Sequence, residues 1–218
     1  MPEPTICGVI TSNDSMLVKH AALAVDLFEL RIDLVGQGWE QTAARLEKPW
    51  IATNRSTACR GCWTGSEESR IRELLKALEL GADIIDIEID SPLLSQTVPL
   101  IKRKAECLIS FHDWKLTPGL PQLTAMVRRQ IKAGADICKV VTTATGFSDN
   151  LAVLELLSKF SDIRLVCFAM GTAGVISRVL SPLAGAYFTY ASLKTGRGSA
   201  PGQPAAAELA AIYRTVAR

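Results

Sequence analysis

Short β-rich runs alternate with helix-period segments along the whole chain, and this alternation restricts the fold more than any other property of the sequence. Strand-like runs fall at 6–10, 27–33, 50–55, 84–90, 107–112, 137–142, 165–170 and 187–192. Between them, segment 69–80 sets Ile71, Leu74, Leu75 and Leu78 at i, i+3, i+4 and i+7, and segment 120–133 does the same with Leu123, Met126, Val127 and Ile131. Further helices are expected at 16–25, 41–46, 93–104, 150–160, 175–180 and 205–216. Eight strands interleaved with eight helices predict an α/β protein with a parallel sheet.

An internal echo sharpens this expectation. Gly-Ala-Asp-Ile occurs at 81–84 and again 53 residues later, at 134–137. Each copy ends a helix on a glycine suited to the position after the C-cap and enters a strand. The spacing fits two βα units of roughly 25–30 residues each, the size at which eight units make a compact (β/α)8 TIM barrel. We therefore expect one domain over residues 1–218, and 48% hydrophobic content is enough for a core of that size. Equal offsets within the echo match Asp86 on the fourth strand with Lys139 on the sixth. Alternate strands feed the same interior layer of such a barrel, so Asp86 is a candidate partner for Lys139.

Lys139 is the chemical anomaly. It lies within Asp136-Ile137-Cys138-Lys139-Val140-Val141, and no other strand-like run carries a lysine. A cation there costs on the order of a few kcal/mol unless it is paired or neutral. Desolvation lowers an amine's pKa and makes it nucleophilic toward carbonyls, which points to a Schiff-base lysine. A structural ion pair with Asp86 is the alternative.

The strand ends carry the remaining chemistry, since a barrel's active site lies at the carboxyl ends of its strands. They read Glu29-Leu30-Arg31-Ile32-Asp33, Thr53-Asn54-Arg55, Asp86-Ile87-Glu88-Ile89-Asp90 and Ser110-Phe111-His112-Asp113. His112 ends the strand beside that of Lys139 and suits general acid/base work, or else a structural hydrogen bond. The other histidine, His20, falls on a helix surface. Gly171 and Gly174 precede a helix bearing Arg178, an arrangement that suits an anion or simply a tight strand-to-helix turn. Segment 194–203, rich in Gly, Pro and small polar residues, reads as a lid or as an ordinary exposed connection.

Composition narrows the partners. With 24 basic and 22 acidic residues and no block of like charge, nucleic acid is not expected as a partner. No apolar run is long enough to cross a bilayer and the first residues do not read as a secretory leader, so a cytoplasmic protein is expected, with no membrane partner. Cys7, Cys107, Cys138 and Cys167 sit in apolar runs as small hydrophobes. Cys59 and Cys62 have zinc or redox spacing, but no second pair accompanies them, which argues for a plain loop pair and no metal.

Taken in order, Glu29-Leu30-Arg31, Thr53-Asn54-Arg55, Asp86-Ile87-Glu88, Ser110-Phe111-His112-Asp113, Ala135 to Lys139, Met170-Gly171 through Arg178 and Ser199-Ala200-Pro201-Gly202-Gln203 resemble the type I 3-dehydroquinate dehydratase family of the shikimate pathway. The resemblance implies a cytoplasmic, homodimeric lyase of aromatic amino acid biosynthesis that needs no cofactor and acts on 3-dehydroquinate. Lys139 would form an imine with the substrate ketone at C3. His112 would take the C2 proton and protonate the departing C1 hydroxyl. Arg178, Ser199 and Gln203 would hold the substrate carboxylate, and Glu29, Arg31 and Arg55 would surround the ring hydroxyls and ketone. The sequence departs from the family pattern at Cys59, where a glutamate normally helps orient the histidine; Asp86 or Glu88 is expected to replace it. A class I aldolase type of imine chemistry would share Lys139, and a non-catalytic carboxylate-binding barrel would keep the anion site, but the segment at 199–203 and the Lys139–His112 pair oppose these two readings.

Overall fold

The computed structural model describes residues 4–216. Its strands are β1 (Ile6–Ile10), β2 (Leu27–Arg31), β3 (Trp50–Thr53), β4 (Ile84–Glu88), β5 (Glu106–His112), β6 (Ile137–Thr143), β7 (Leu165–Met170) and β8 (Thr189–Ser192). They form one parallel sheet in the order β7-β6-β5-β4-β3-β2-β1-β8. The seam between β7 and β8 is spanned by the Tyr187 N–H, which donates to Leu165 O at 2.9 Å. The architecture is a nearly closed (β/α)8 barrel, as the alternation and the echo predict.

Nine α-helices surround the sheet among the described residues: α1 (Ser15–Ala21), α2 (Ile32–Val35), α3 (Trp39–Ala43), α4 (Glu67–Glu79), α5 (Leu94–Ile101), α6 (Leu120–Lys132), α7 (Ser148–Lys159), α8 (Val175–Leu180) and α9 (Ala206–Val216). The extra one, α2, takes Ile32 and Asp33, which the sequence pattern assigns to the second strand. Arg31 opposite Thr53 is the last pair of the β2–β3 ladder, and beyond it the chain turns into the rim. On α6 the buried face is rotated from the expected one: Gln130 is fully buried, while Ile131 is 38% exposed. The Gln130 amide earns its place by donating to Lys139 O at 2.8 Å.

Period-two alternation sorts each strand into two faces. One face feeds the barrel interior, where Leu27, Ile51, Ile84, Leu108, Ile137, Val166 and Phe188 pack together. The other meets the helices, with Leu30, Ile85, Ile87 and Ile109 against Leu74 and Ile101, and Val140 and Cys167 against Val153 and Leu156. The four apolar-run cysteines are buried and unpaired. Among the described residues no helix is long and apolar enough to cross a membrane.

The repeated Gly-Ala-Asp has a structural reason. Gly81 and Gly134 adopt φ of 88° and 96°, which end α4 and α6 at no side-chain cost. The aspartate that follows clamps a residue at the start of the preceding strand through both its N–H and its carbonyl. Asp83 accepts the Trp50 N–H through Oδ2 at 2.9 Å and donates its own N–H to Trp50 O at 3.1 Å. Asp136 does the same to Cys107, with both bonds at 2.9 Å, and Asp26 does so to Ile6 at 2.7 and 2.9 Å. Three even-numbered strands are thus locked to their odd-numbered neighbours at the amino-terminal face, which fixes the register that delivers the opposite rim.

Candidate active site

Because β4, β5 and β6 start in register, Glu88 lies opposite Ser110 and Ser110 opposite Lys139. Lys139, only 4% exposed, has its Nζ 3.0 Å from Asp86 Oδ2 and 3.4 Å from Glu29 Oε1, and 4.2 Å from the centroid of the Tyr190 ring. The residues matched by the echo therefore do meet. Asp86 also accepts Arg55 Nη2 at 2.6 Å and the Ser110 hydroxyl at 2.6 Å, while Arg55 Nη1 donates to Ser110 Oγ at 2.7 Å. Glu88 takes Arg70 Nη1 from α4 at 2.7 Å and lies 3.4 Å from Arg55 Nη1. Arg70 grips Glu67 with two bonds of 2.7 and 2.8 Å. Lys139, Asp86, Arg55, Glu88, Arg70 and Glu67 thus form one chain of alternating charge.

This chain sets the local titration. Burial pushes the Asp86 carboxyl up, but Arg55 and Lys139 outweigh it and hold Asp86 well below the ordinary carboxylate range. Burial likewise pulls Arg55 down, and Asp86, Glu88 and Glu29 more than offset it. Thr53 Oγ1 donates to Glu29 at 2.9 Å, and Arg31 is held by Asp33 through bonds of 2.9 and 2.8 Å. Asp33 also accepts the Cys62 N–H at 3.0 Å, tying the loop after β3 to the rim.

His112 closes the same cavity. Burial first, then Arg55 and Lys139, push its imidazole well below 6.5, so the ring is neutral at physiological pH. Among the described residues no side-chain hydrogen bond reaches the ring. The expectation that Asp86 or Glu88 orients it by such a bond is not met: Asp86 bonds to Arg55, Lys139 and Ser110, and Glu88 bonds to Arg70 through Oε2, while its buried Oε1 has no hydrogen-bond partner among the described residues. Instead, the imidazole stacks on Trp114, with centroids 5.3 Å apart and planes 10° from parallel. Arg60 Cζ stands 5.2 Å from the same indole. Arg60 has φ 56°, the one positive φ outside glycine among the described residues, a conformation that costs about 1 kcal/mol or more. Cys59, half-buried, lines the cavity beside it, and Cys62 is exposed; among the described residues no cluster of three metal-ligating side chains occurs.

On the far side of the cavity Arg178 is 1% exposed, with its guanidinium 4.1 Å from the Phe168 ring. Among the described residues its guanidinium makes one bond, from Nη1 to Tyr190 O at 3.4 Å, and Nε and Nη2 have no partner. Burial lowers its pKa to about 9, so it stays cationic at neutral pH. Of the two readings of the glycine turn before α8, the geometry supports the tight strand-to-helix turn. The Gly174 N–H goes to Gly171 O and the Ser177 N–H to Asn150 Oδ1, and a Cβ on Gly174 would lie 2.4 Å from Ala169 O, so this glycine serves close helix–strand packing. The segment at 194–203 folds over the mouth. Gln203 Oε1 accepts the Ser199 N–H at 2.7 Å and its hydroxyl at 3.0 Å, and Pro201 O accepts the Gly171 N–H at 3.1 Å.

All eight expected site residues, Glu29, Arg31, Arg55, His112, Lys139, Arg178, Ser199 and Gln203, line this one cavity. The sequence reading missed Arg60, Trp114, Phe168 and Tyr190. For Phe168 and Tyr190 the signal was available, since period two on β7 and β8 turns both inward; Arg60 and Trp114 lie in loops, where no period applies. Five cations and an apolar floor leave a pocket suited to a small carboxylate with a carbonyl within reach of an amine.

Comparison with known proteins gives the family. A profile of the type I 3-dehydroquinase family matches residues 6–218. The 3-dehydroquinate dehydratase of Dehalococcoides mccartyi (strain 195) is 41% identical over 216 residues, 99% of this chain and 97% of that protein. Among solved structures, the 3-dehydroquinate dehydratase of Geobacillus kaustophilus superposes with a TM-score of 0.85 at 26% identity, over all of this chain and 93% of that one. The type I enzyme of Clostridium difficile, solved with covalently modified comenic acid, has a TM-score of 0.87 and, at 22% identity, attests the fold, over 99% and 93% of the two chains.

Proposed function

The chain belongs to the type I 3-dehydroquinase family, and from that premise we propose that it dehydrates 3-dehydroquinate to 3-dehydroshikimate through an imine on Lys139 with His112 as the proton carrier. The observation that carries the reading is the buried Lys139 amine sharing one cavity with a neutral imidazole and a buried guanidinium whose Nε and Nη2 have no partner.

Arg178 is the recognition element. A buried cation whose Nε and Nη2 find no partner among the described residues lacks compensation until a carboxylate arrives, and a bidentate carboxylate fits it. Ser199 and Gln203 close over that end. With the carboxylate so placed, Glu29, Arg31 and Arg55 face the ring hydroxyls and the ketone. Lys139 Nζ, held by Asp86 and Glu29, gives up a proton as it adds to the C3 carbonyl, and both protons lost from the nitrogen leave with the carbonyl oxygen as water. Loss of water gives the iminium, which acidifies the C2–H bond.

Neutral His112 removes that proton, and the electron pair is held as an enamine. The enamine then expels the C1 hydroxyl, which takes the proton back from His112 and leaves as water. Addition of water to the resulting conjugated iminium returns the Lys139 amine and releases the enone. The base form of His112 is lost only as pH falls through its depressed pKa, so the acid limb of kcat/KM lies below 6.5.

The test is the absorbance of the conjugated enone on adding 3-dehydroquinate. The intact protein produces it, Lys139→Ala abolishes it, and His112→Ala slows it by about 10²- to 10⁴-fold. Undiminished turnover in Lys139→Ala contradicts the proposal.

A further inference from the structure

The imidazole of His112 has to accept and return a proton at two different substrate atoms, so its plane must be held, yet no side-chain hydrogen bond among the described residues holds it. What touches it is Trp114, nearly parallel at 5.3 Å, and what meets Trp114 in turn is Arg60, with Cζ 5.2 Å from the indole. Resting on the reading above, we propose that Trp114, braced by Arg60, is the positioning residue that holds the His112 ring in this protein, in place of a hydrogen-bonding carboxylate.

Three observations support the assignment. First, the loop carrying Arg60 is tied down by backbone hydrogen bonds. The Gly61 N–H donates to Ser56 O at 2.8 Å, the Trp63 N–H to Arg55 O at 3.1 Å, and the Cys62 N–H to Asp33 at 3.0 Å. A side chain at Gly61 would run into the Arg55 carbonyl, 2.0 Å from its Cβ. Second, Arg60 holds φ 56°, where glycine would sit without strain, and its head group lies on the indole. Third, neither carboxylate near the ring bonds to it among the described residues: Asp86 is taken by Arg55, Lys139 and Ser110, and Glu88 holds Arg70 through Oε2, while its Oε1, 3.4 Å from Arg55 Nη1, makes no hydrogen bond.

Chemically, an indole face differs from a carboxylate. It fixes the plane of the ring and attracts the imidazolium through its π-system, but it neither selects a tautomer nor takes a proton. The charged groups facing His112 are Arg31 and Arg55 from the ends of β2 and β3, Asp86 from β4 and Lys139 from β6, with Arg60 above Trp114. Cations outnumber the carboxylate, so the stack supplies the attraction for the imidazolium that the neighbours withhold.

The test compares steady-state kinetics and pH profiles of Trp114→Leu, Trp114→Phe, Arg60→Gly and His112→Ala. We expect Trp114→Leu to lower kcat about 10- to 100-fold with KM within about threefold, and to move the acid limb of kcat/KM to lower pH. Trp114→Phe restores most of kcat. Arg60→Gly relieves the backbone, so its Tm holds or rises while kcat falls several-fold, an outcome that a purely structural arginine would not give. Cys59→Glu, which puts a carboxylate on the same cavity wall, recovers kcat in the Trp114→Leu background. Wild-type kcat and pH profile in Trp114→Leu, or wild-type kcat in Arg60→Gly, overturn the proposal. His112→Ala separates the levels: if it keeps its activity, the proton-carrier reading fails, whereas if it loses activity and Trp114→Leu does not, only the stack fails. Should Trp114→Leu not fold, the pH profile of Trp114→Phe and the kcat of Arg60→Gly decide the matter.

Discussion

At the scale of single residues, not every charge buried inside the barrel is paired. Arg178 is the clearest case. Its burial without an anion is a cost to the free protein and an advantage only once a carboxylate is bound. Arg178→Met should therefore leave the thermal stability of the unliganded protein unchanged or raise it, while KM for 3-dehydroquinate rises roughly 30-fold or more, the size expected for losing a charged hydrogen-bonded pair. A variant that loses stability and keeps its KM would show that the guanidinium is structural. Residue-scale features were the most legible in the sequence, because a lysine in an apolar strand and an arginine after a glycine turn are anomalies that need no fold to be noticed. The orienting partner of His112 was not legible. It depends on Trp114 and Arg60, which lie in separate loops and meet only because the rim curls.

At the scale of elements, the sequence echo foretold the meeting of Asp86 with Lys139, and the structure adds what the repeated Gly-Ala-Asp does. The matched offsets of Asp86 and Lys139 are realised as a 3.0 Å contact, and the Gly-Ala-Asp copies prove to be clamps at the opposite face. Stability and chemistry are thus separated along each strand, as expected for a barrel. Asp83→Ala orphans the Trp50 N–H and should cost about 1–3 kcal/mol in urea unfolding at unchanged m, with kcat intact. A fall in kcat without a fall in stability would break that separation. What the pattern misjudged were boundaries. The second strand gives up Ile32 and Asp33 to α2, because Asp33 is needed to hold Arg31 and the Cys62 N–H, and α6 turns Gln130 inward to satisfy a strand carbonyl. Periodicity counts apolar positions and is blind to a polar side chain buried for its hydrogen bonds.

At the scale of the molecule, eight parallel strands bring residues from β2 to β8 to one rim, and the segment at 194–203 covers it through Pro201, Ser199 and Gln203. No single unit of the repeat holds a site; closure of the barrel does, which is why residues 110 positions apart, Glu29 and Lys139, share a contact. The account rests on Lys139 forming a bond to carbon within that enclosure. Borohydride reduction in the presence of 3-dehydroquinate, followed by peptide mass analysis, tests this directly. The account predicts a reduced substrate adduct on the peptide carrying Lys139 and on no other; turnover with no adduct there, or an adduct on a different lysine, would contradict it.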